Sequence, residues 1–132
     1  MSVINEQVLS DLEFLKEKMK FSDSSIIVVE NGSIILEKKG NGVKPLLETI
    51  DELKEGLYGK IIGDRVLGKA SAMLCRYAKV KSVYSPQGTK TGLAVLIVGG
   101  VPAQVDRLIP FVKNMAGDDV CPFEKMLGNI DS

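Results

Sequence analysis

Apolar residues recur at Ile4, Val8, Leu12, Leu15 and Met19, with Glu, Lys and Asp between them. Steps of three and four place them on one stripe and predict an amphipathic helix over residues 3–19. The pattern then changes. Residues 25–30 and 33–38 are two short apolar runs (Ile26-Ile27-Val28-Val29 and Ile34-Ile35-Leu36) on either side of Asn31-Gly32, the dipeptide best suited to a two-residue hairpin turn. Neither arm alternates with polar residues, so both are expected to be buried on both faces, with helices on each side of the sheet. Gly40-Asn41-Gly42 marks a turn, and Pro45 suits the first position of a helix whose apolar face is Leu46, Leu47, Ile50, Leu53 and Leu57. Gly56 or Gly59 is the expected stop.

A short strand at 60–62 runs into Gly63, a helix rich in small residues follows over 68–78, and residues 80–84 form the next strand. Ser85-Pro86-Gln87-Gly88 reads as a loop. Leu93 to Val98 fits a buried helix or a buried strand, and periodicity does not separate the two. A strand over 101–109 ends at Pro110, and Cys121-Pro122-Phe123-Glu124 opens a short last helix over 121–127. The order α-β-β-α-β-α-β-(α)-β-α predicts one domain over residues 1–132, an α/β fold with a mixed sheet in a three-layer α/β/α sandwich.

Composition narrows the chemistry. In 132 residues, 17 Lys and Arg balance 17 Asp and Glu, so no overall basic field favours nucleic acid. With four Phe, three Tyr and no Trp, stacking platforms for single strands are sparse. There is no His and there are two Cys, which excludes imidazole bases and any zinc site needing three or four His or Cys ligands. No metal and no cofactor are expected. Neither a spanning helix nor a secretory signal is visible, and the two cysteines read as free thiols of a cytoplasmic protein.

Three stretches could carry chemistry. Gly63 to Lys69 fits G-x-x-x-x-G-K, but Ala70 stands where a phosphate loop needs a magnesium-holding Ser or Thr, and Arg65, Val66 and Leu67 are too bulky for a phosphate cradle. What survives is a helix start with Gly68 and Lys69, suited to a phosphate or carboxylate. A tight turn with a solvated lysine explains the same residues. Cys121 is an expected N-cap ahead of Pro122, where the helix dipole lowers a thiol pKa, while Asp118 and Asp119 oppose the shift. Glu124 equally suits a backbone cap. Cys75, beside Leu74 on an apolar helix, is expected in the core. Asn41-Gly42-Val43-Lys44-Pro45 is a second glycine turn leading into a helix, and Lys16, Lys18, Lys20, Lys38 and Lys39 read as solvated faces.

Taken in order, Asn41-Gly42-x-Lys44-Pro45-Leu46, Asp64-x-x-x-Gly68-Lys69-Ala70, Asn114 and Cys121-Pro122-x-Glu124 resemble a small prokaryotic family known as a domain of unknown function within the cytidine deaminase-like superfamily. One departure is Met115, which follows Asn114 where the family pattern has an arginine. The resemblance spans the hairpin to the last helix, implies the same three-layer fold, and favours a helix at 91–98. In the zinc deaminases of that superfamily, ligands and the acid–base Glu come from two helix starts, here occupied by Asn41 to Pro45 and Asp64 to Ala70. Neither has His-x-Glu or Cys-x-x-Cys, so the resemblance implies the fold without its zinc chemistry.

It also brings the separated motifs to one crevice at the carboxyl ends of neighbouring strands. Asp64, Lys69, Cys121 and Glu124 are the expected catalytic set: Lys69 holds an anion, Asp64 orients it, Cys121 is the nucleophile and Glu124 moves protons. Asn41, Gly42, Lys44, Gly68, Ser71 and Asn114 are the expected ligand-binding set. The expected partner is a small anionic, nucleotide-like metabolite, handled by a metal-independent enzyme or by a non-catalytic binding or regulatory module. Deaminase-like domains associate, so the resemblance also implies a homo-oligomer, with Phe111, Met115, Phe123 and Met126 as interface or core residues.

Overall fold

The structure, a computed structural model, describes residues 6–110. Its first helix, α1 (Glu6–Lys20), is followed by the hairpin β1 (Ile26–Glu30) and β2 (Ser33–Lys38). Asn31 and Gly32 both have positive φ (48° and 78°), the geometry of the hairpin turn their sequence calls for. Next come α2 (Lys44–Leu53), a 3-10 turn (Lys54–Leu57), β3 (Ile61–Asp64), β4 (Val66–Leu67) and α3 (Lys69–Tyr77). The described part closes with β5 (Ser82–Thr89), α4 (Lys90–Val98) and β6 (Ala103–Ile109). The open question at 91–98 is therefore settled as helix. The helix expected at 121–127 lies outside the described residues.

The six strands described join one mixed sheet. β1 pairs antiparallel with β2 and with β3, while β3, β4 and β6 run parallel to β5. One face is covered by α1, whose Val8, Leu12, Leu15 and Met19 bury against Ile27, Val29, Ile61 and Tyr84. The other face carries α2, α3 and α4 over Ile26, Val28, Ile62, Leu67 and Val83. This is the expected three-layer sandwich. The stripe that predicted α1 is the stripe it buries. Gly63 lies under that helix: a Cβ there would stand 2.6 Å from Met19 Sδ and 2.9 Å from Leu15 Cδ1.

Four local expectations need correction. β1 is buried throughout except Glu30, but β2 is mostly exposed, because among the described residues it is the edge strand of the sheet. It also carries a bulge: Val28 pairs with Leu36 and Val29 with Ile34, leaving Ile35 as the extra residue. Helix α2 stops before either glycine, at Lys54 with φ 47°. Finally, residues 85–88 are strand rather than loop, and Val66-Leu67 is strand where a tight turn between strand and helix was expected. Ile62 pairs with Val83 and Leu67 with Gly88 in one continuous register, so β3 and β4 are one lane along β5. The break at Arg65 falls opposite Pro86, which has no N–H to give to a ladder.

Two buried polar groups tie the layers together. Asp11 of α1 accepts from the Gly32 backbone N–H at 2.8 Å and from Gln7 Nε2 at 3.1 Å, fastening the helix to the hairpin tip. Tyr84 donates its hydroxyl to Asp106 Oδ2 at 2.6 Å, and Lys16 Nζ stands 3.7 Å from Asp106 Oδ1. Burial first, and the Asp106 hydrogen bond second, push the Tyr84 phenol well above its ordinary range. A raised folded-state value means the contribution is whole below the unfolded tyrosine value of about 10 and is lost as pH rises past it, by up to about 1.4 kcal/mol per pH unit. Urea unfolding of wild type and Tyr84→Phe between about pH 8 and about pH 11 should show the wild type losing stability relative to the variant above about pH 10; parallel curves would remove the assignment.

The starts of α3 and α4 touch through backbone. A Cβ at Gly92 would lie 2.9 Å from both C and O of Gly68 and 3.2 Å from Leu67 O. Alanine gains about 1 kcal/mol in helix propensity over glycine, but overpacking against rigid backbone costs about 1–3 kcal/mol. Gly92→Ala is therefore expected to lower unfolding free energy by about 1 kcal/mol, the middle of the overpacking range less the propensity gain, measured by the urea midpoint at unchanged m-value. An unchanged or raised midpoint would show that the two helix starts are not locked together.

Candidate functional site

The site grows from the alternation of side chains along the β3 lane. Ile61 and Gly63 face α1, while Ile62 lies in the core beneath α2 and α3. Asp64 continues the second set and Arg65 the first. Asp64, at the carboxyl end of β3, is only 6% exposed. Alternation along the strand sets the carboxylate on the face that carries α2, α3 and α4.

Arg65 turns to the other side. Its Nε donates to Ser24 O at 2.7 Å, and its Nη2 to Met19 O at 2.9 Å and Ser22 O at 2.8 Å. Sequence reading took Arg65 only as bulk that spoils a phosphate loop. Its guanidinium in fact closes the carboxyl end of α1 and holds the link to β1.

Around Asp64 the chain brings two helix starts to one end of the sheet. β2 and β3 both run antiparallel to β1, so their carboxyl ends lie together. α2 begins at Lys44 after the Asn41–Val43 turn, and α3 begins at Lys69 after Gly68. Ser25 links the segments that lead into these two helices. Its carbonyl accepts from Arg65 N–H at 2.9 Å, and its hydroxyl donates to Gly40 O just ahead of the turn. Neither N-cap residue, Val43 nor Gly68, bonds back to its helix through a side chain. α4 differs, since Thr89 Oγ1 accepts from Gly92 N–H at 2.9 Å. Each start also carries the positive end of its helix dipole, which favours an anion nearby.

The expected site residues therefore fall into three groups. Asp64, Gly68, Lys69 and Ser71 gather at the β3–α3 junction: Asp64, Gly68 and Ser71 are buried and Lys69 is half-buried. Asn41, Gly42 and Lys44 lie on the neighbouring rim, where Gly42 has φ 65°. Asn114, Cys121 and Glu124 lie outside the described residues.

Ser71 is 5% exposed and one turn before Cys75 on the stripe facing the sheet. Sequence reading missed Ser25, which carries no motif, and Ser85, whose hydroxyl donates to Gln87 O at 2.7 Å beside the Pro86 break. A proline inside an otherwise strand-like run was the available signal for that break.

Cys75 is fully buried. Burial first, and the Asp64 charge second, push its thiol far above the usual cysteine range. It is a core residue, as expected, and no nucleophile.

A zinc ion does not fit this donor set. The two helix starts offer one carboxylate, Asp64, and no His or Cys; among the described residues no group of three or more His, Cys, Asp or Glu could hold a metal ion. Among the same residues no helix is long and apolar enough to cross a membrane.

Comparison with known proteins agrees with this architecture. The chain is similar to a DUF1893 family protein of Thermotoga maritima, with 28% identity over 99% of this chain and 86% of that one, at a TM-score of 0.83. It is also similar to RibD of Acinetobacter baumannii (14% identity, 76% of this chain, TM-score 0.53), of which it spans 34%. A dCMP deaminase of the cyanophage S-TIM5 matches with 17% identity over 77% of this chain and 99% of its own, at a TM-score of 0.52. These two likenesses show a shared cytidine deaminase-like fold. No curated protein matches. The family model described as a domain of unknown function, DUF1893, matches residues 14–132, and the chain belongs to that family.

Proposed function

We propose that the crevice at the Asp64–Lys69 junction takes a small anionic, nucleotide-like metabolite and that the chain acts on it as a metal-independent enzyme. The observation that carries this is the meeting of two helix starts at one end of the sheet, beside a buried carboxylate. In this reading the N–H groups of the α3 start and Lys69 hold the anion. Asp64 orients Lys69 from the floor, and Ser71 and the Asn41–Lys44 rim complete the pocket with Asn114. Cys121 is the nucleophile and Glu124 moves the proton. The likeness to a dCMP deaminase supports a nucleotide-like ligand by fold analogy alone, since one fold hosts many chemistries.

A second reading, a non-catalytic binding or regulatory module, has its own support: Cys75, the cysteine among the described residues, is buried and held protonated. Iodoacetamide near neutral pH separates the two. The enzyme reading expects Cys121 to label well before Cys75, with a midpoint below the free-thiol value of about 8.5. Equal, slow labelling of both removes the nucleophile and leaves the binding module.

Binding itself is read by thermal shift against a panel of nucleoside monophosphates. A ligand at about 100 times its Kd adds about 2.7 kcal/mol, and Lys69→Ala should abolish the shift while Cys121→Ala hardly changes it. If no compound shifts the wild type, or if Lys69→Ala retains the full shift, the crevice is not the ligand site.

A further inference from the structure

We propose that Arg65 is a positioning residue: by holding the α1–β1 link it sets where the Asn41–Lys44 turn stands relative to Asp64 and the start of α3. The inference rests on the reading of that crevice as a ligand site. It concerns a side chain that touches none of the expected ligand positions and points to the other face of the sheet.

The path is continuous. The guanidinium fork donates to three carbonyls, Met19 O, Ser22 O and Ser24 O, between 2.7 and 2.9 Å. Met19 is in the last turn of α1, where carbonyls have no partner within the helix and the dipole is negative, so a cation is the favoured cap. Arg65 N–H then bonds Ser25 O at 2.9 Å, and the Ser25 hydroxyl bonds Gly40 O, the residue before the turn. Ser25 N–H also bonds Lys38 O at 2.8 Å at the end of β2. Ser25 is thus clamped between β3 and the approach to α2, and the segment that carries it is set by Arg65.

The chain needs this outside support because the sheet is interrupted there. Pro86 lies opposite Arg65 and gives no ladder hydrogen bond. At that level the β3 lane is held toward β1 by the bond to Ser25 and by the guanidinium. Lysine cannot replace it, since one ammonium lacks the planar fork that serves carbonyls of three residues.

Amide NMR of wild type, Arg65→Lys and Arg65→Ala, with inorganic phosphate as probe, tests this. In both variants the Gly40, Gly42 and Gly68 amides should shift, more in Arg65→Ala, while Gly59 and Gly99 at the opposite end of the sheet stay. Millimolar guanidinium should return the Arg65→Ala amides toward wild-type positions, a rescue that a general loss of stability would not give. Phosphate affinity, read from Gly68 in the wild type, should fall at least tenfold in Arg65→Lys. If Gly40 and Gly42 move no more than Gly59 and Gly99, or guanidinium restores nothing, Arg65 is not a positioning residue. If phosphate moves no wild-type amide while the variants still shift Gly40 and Gly42, the positioning stands and the ligand site falls. Should Arg65→Ala fail to fold, Arg65→Lys carries the same comparison.

Discussion

Side chains of a strand must alternate between the faces of its sheet, and in this protein the alternation along residues 61–65 divides two tasks. One face needs closeness. Gly63 lets Leu15 and Met19 come down onto the sheet, and Arg65 then reaches past the end of α1 to its carbonyls. The other face needs a core and then a floor, which Ile62 and Asp64 supply in turn. Adjacent residues of opposite charge thus serve opposite layers. A slip of one position would bury the guanidinium under α3 and turn the carboxylate toward the negative end of α1.

Much of the fold was legible because the patterns involved are local. The stripe from Val8 to Met19, the Asn31-Gly32 turn and the small inner face of α3 each follow from short-range periodicity, and each is found where it was expected. What was not legible depends on neighbours in space. β1 and β2 look alike in composition, yet one is central and the other an edge, and nothing within the run says which. Pro86 suggested a loop on sound local grounds. It lies in a strand because β6 and the β3–β4 lane hold β5 on either side of the break. Asp11 read as part of a polar helix face, although it is buried at the hairpin tip.

The site was legible to a different degree. The glycine-led approaches to α2 and α3 marked two helix starts, and the topology brings them to one end of the sheet. The G-x-x-x-x-G-K spacing was misleading in form, since residues 63–67 belong to the β3–β4 lane, and informative in position, because Gly68 and Lys69 open a helix. The chain has a cytidine deaminase-like fold, while its helix starts offer one carboxylate and no His or Cys. Where the two helix starts come together, this chain places a buried acid and a half-buried lysine.

The bulge at Ile35 has a bearing beyond the hairpin. An open β-ribbon with two consecutive isoleucines on an outer lane is the kind of segment along which further chains add. The extra residue breaks the even spacing of outward N–H and C=O groups, and Lys38 and Lys39 place charge at its end. An incoming strand meets a kinked rail whose end carries charged side chains, so the same irregularity that bends the ribbon disfavours edge-to-edge addition.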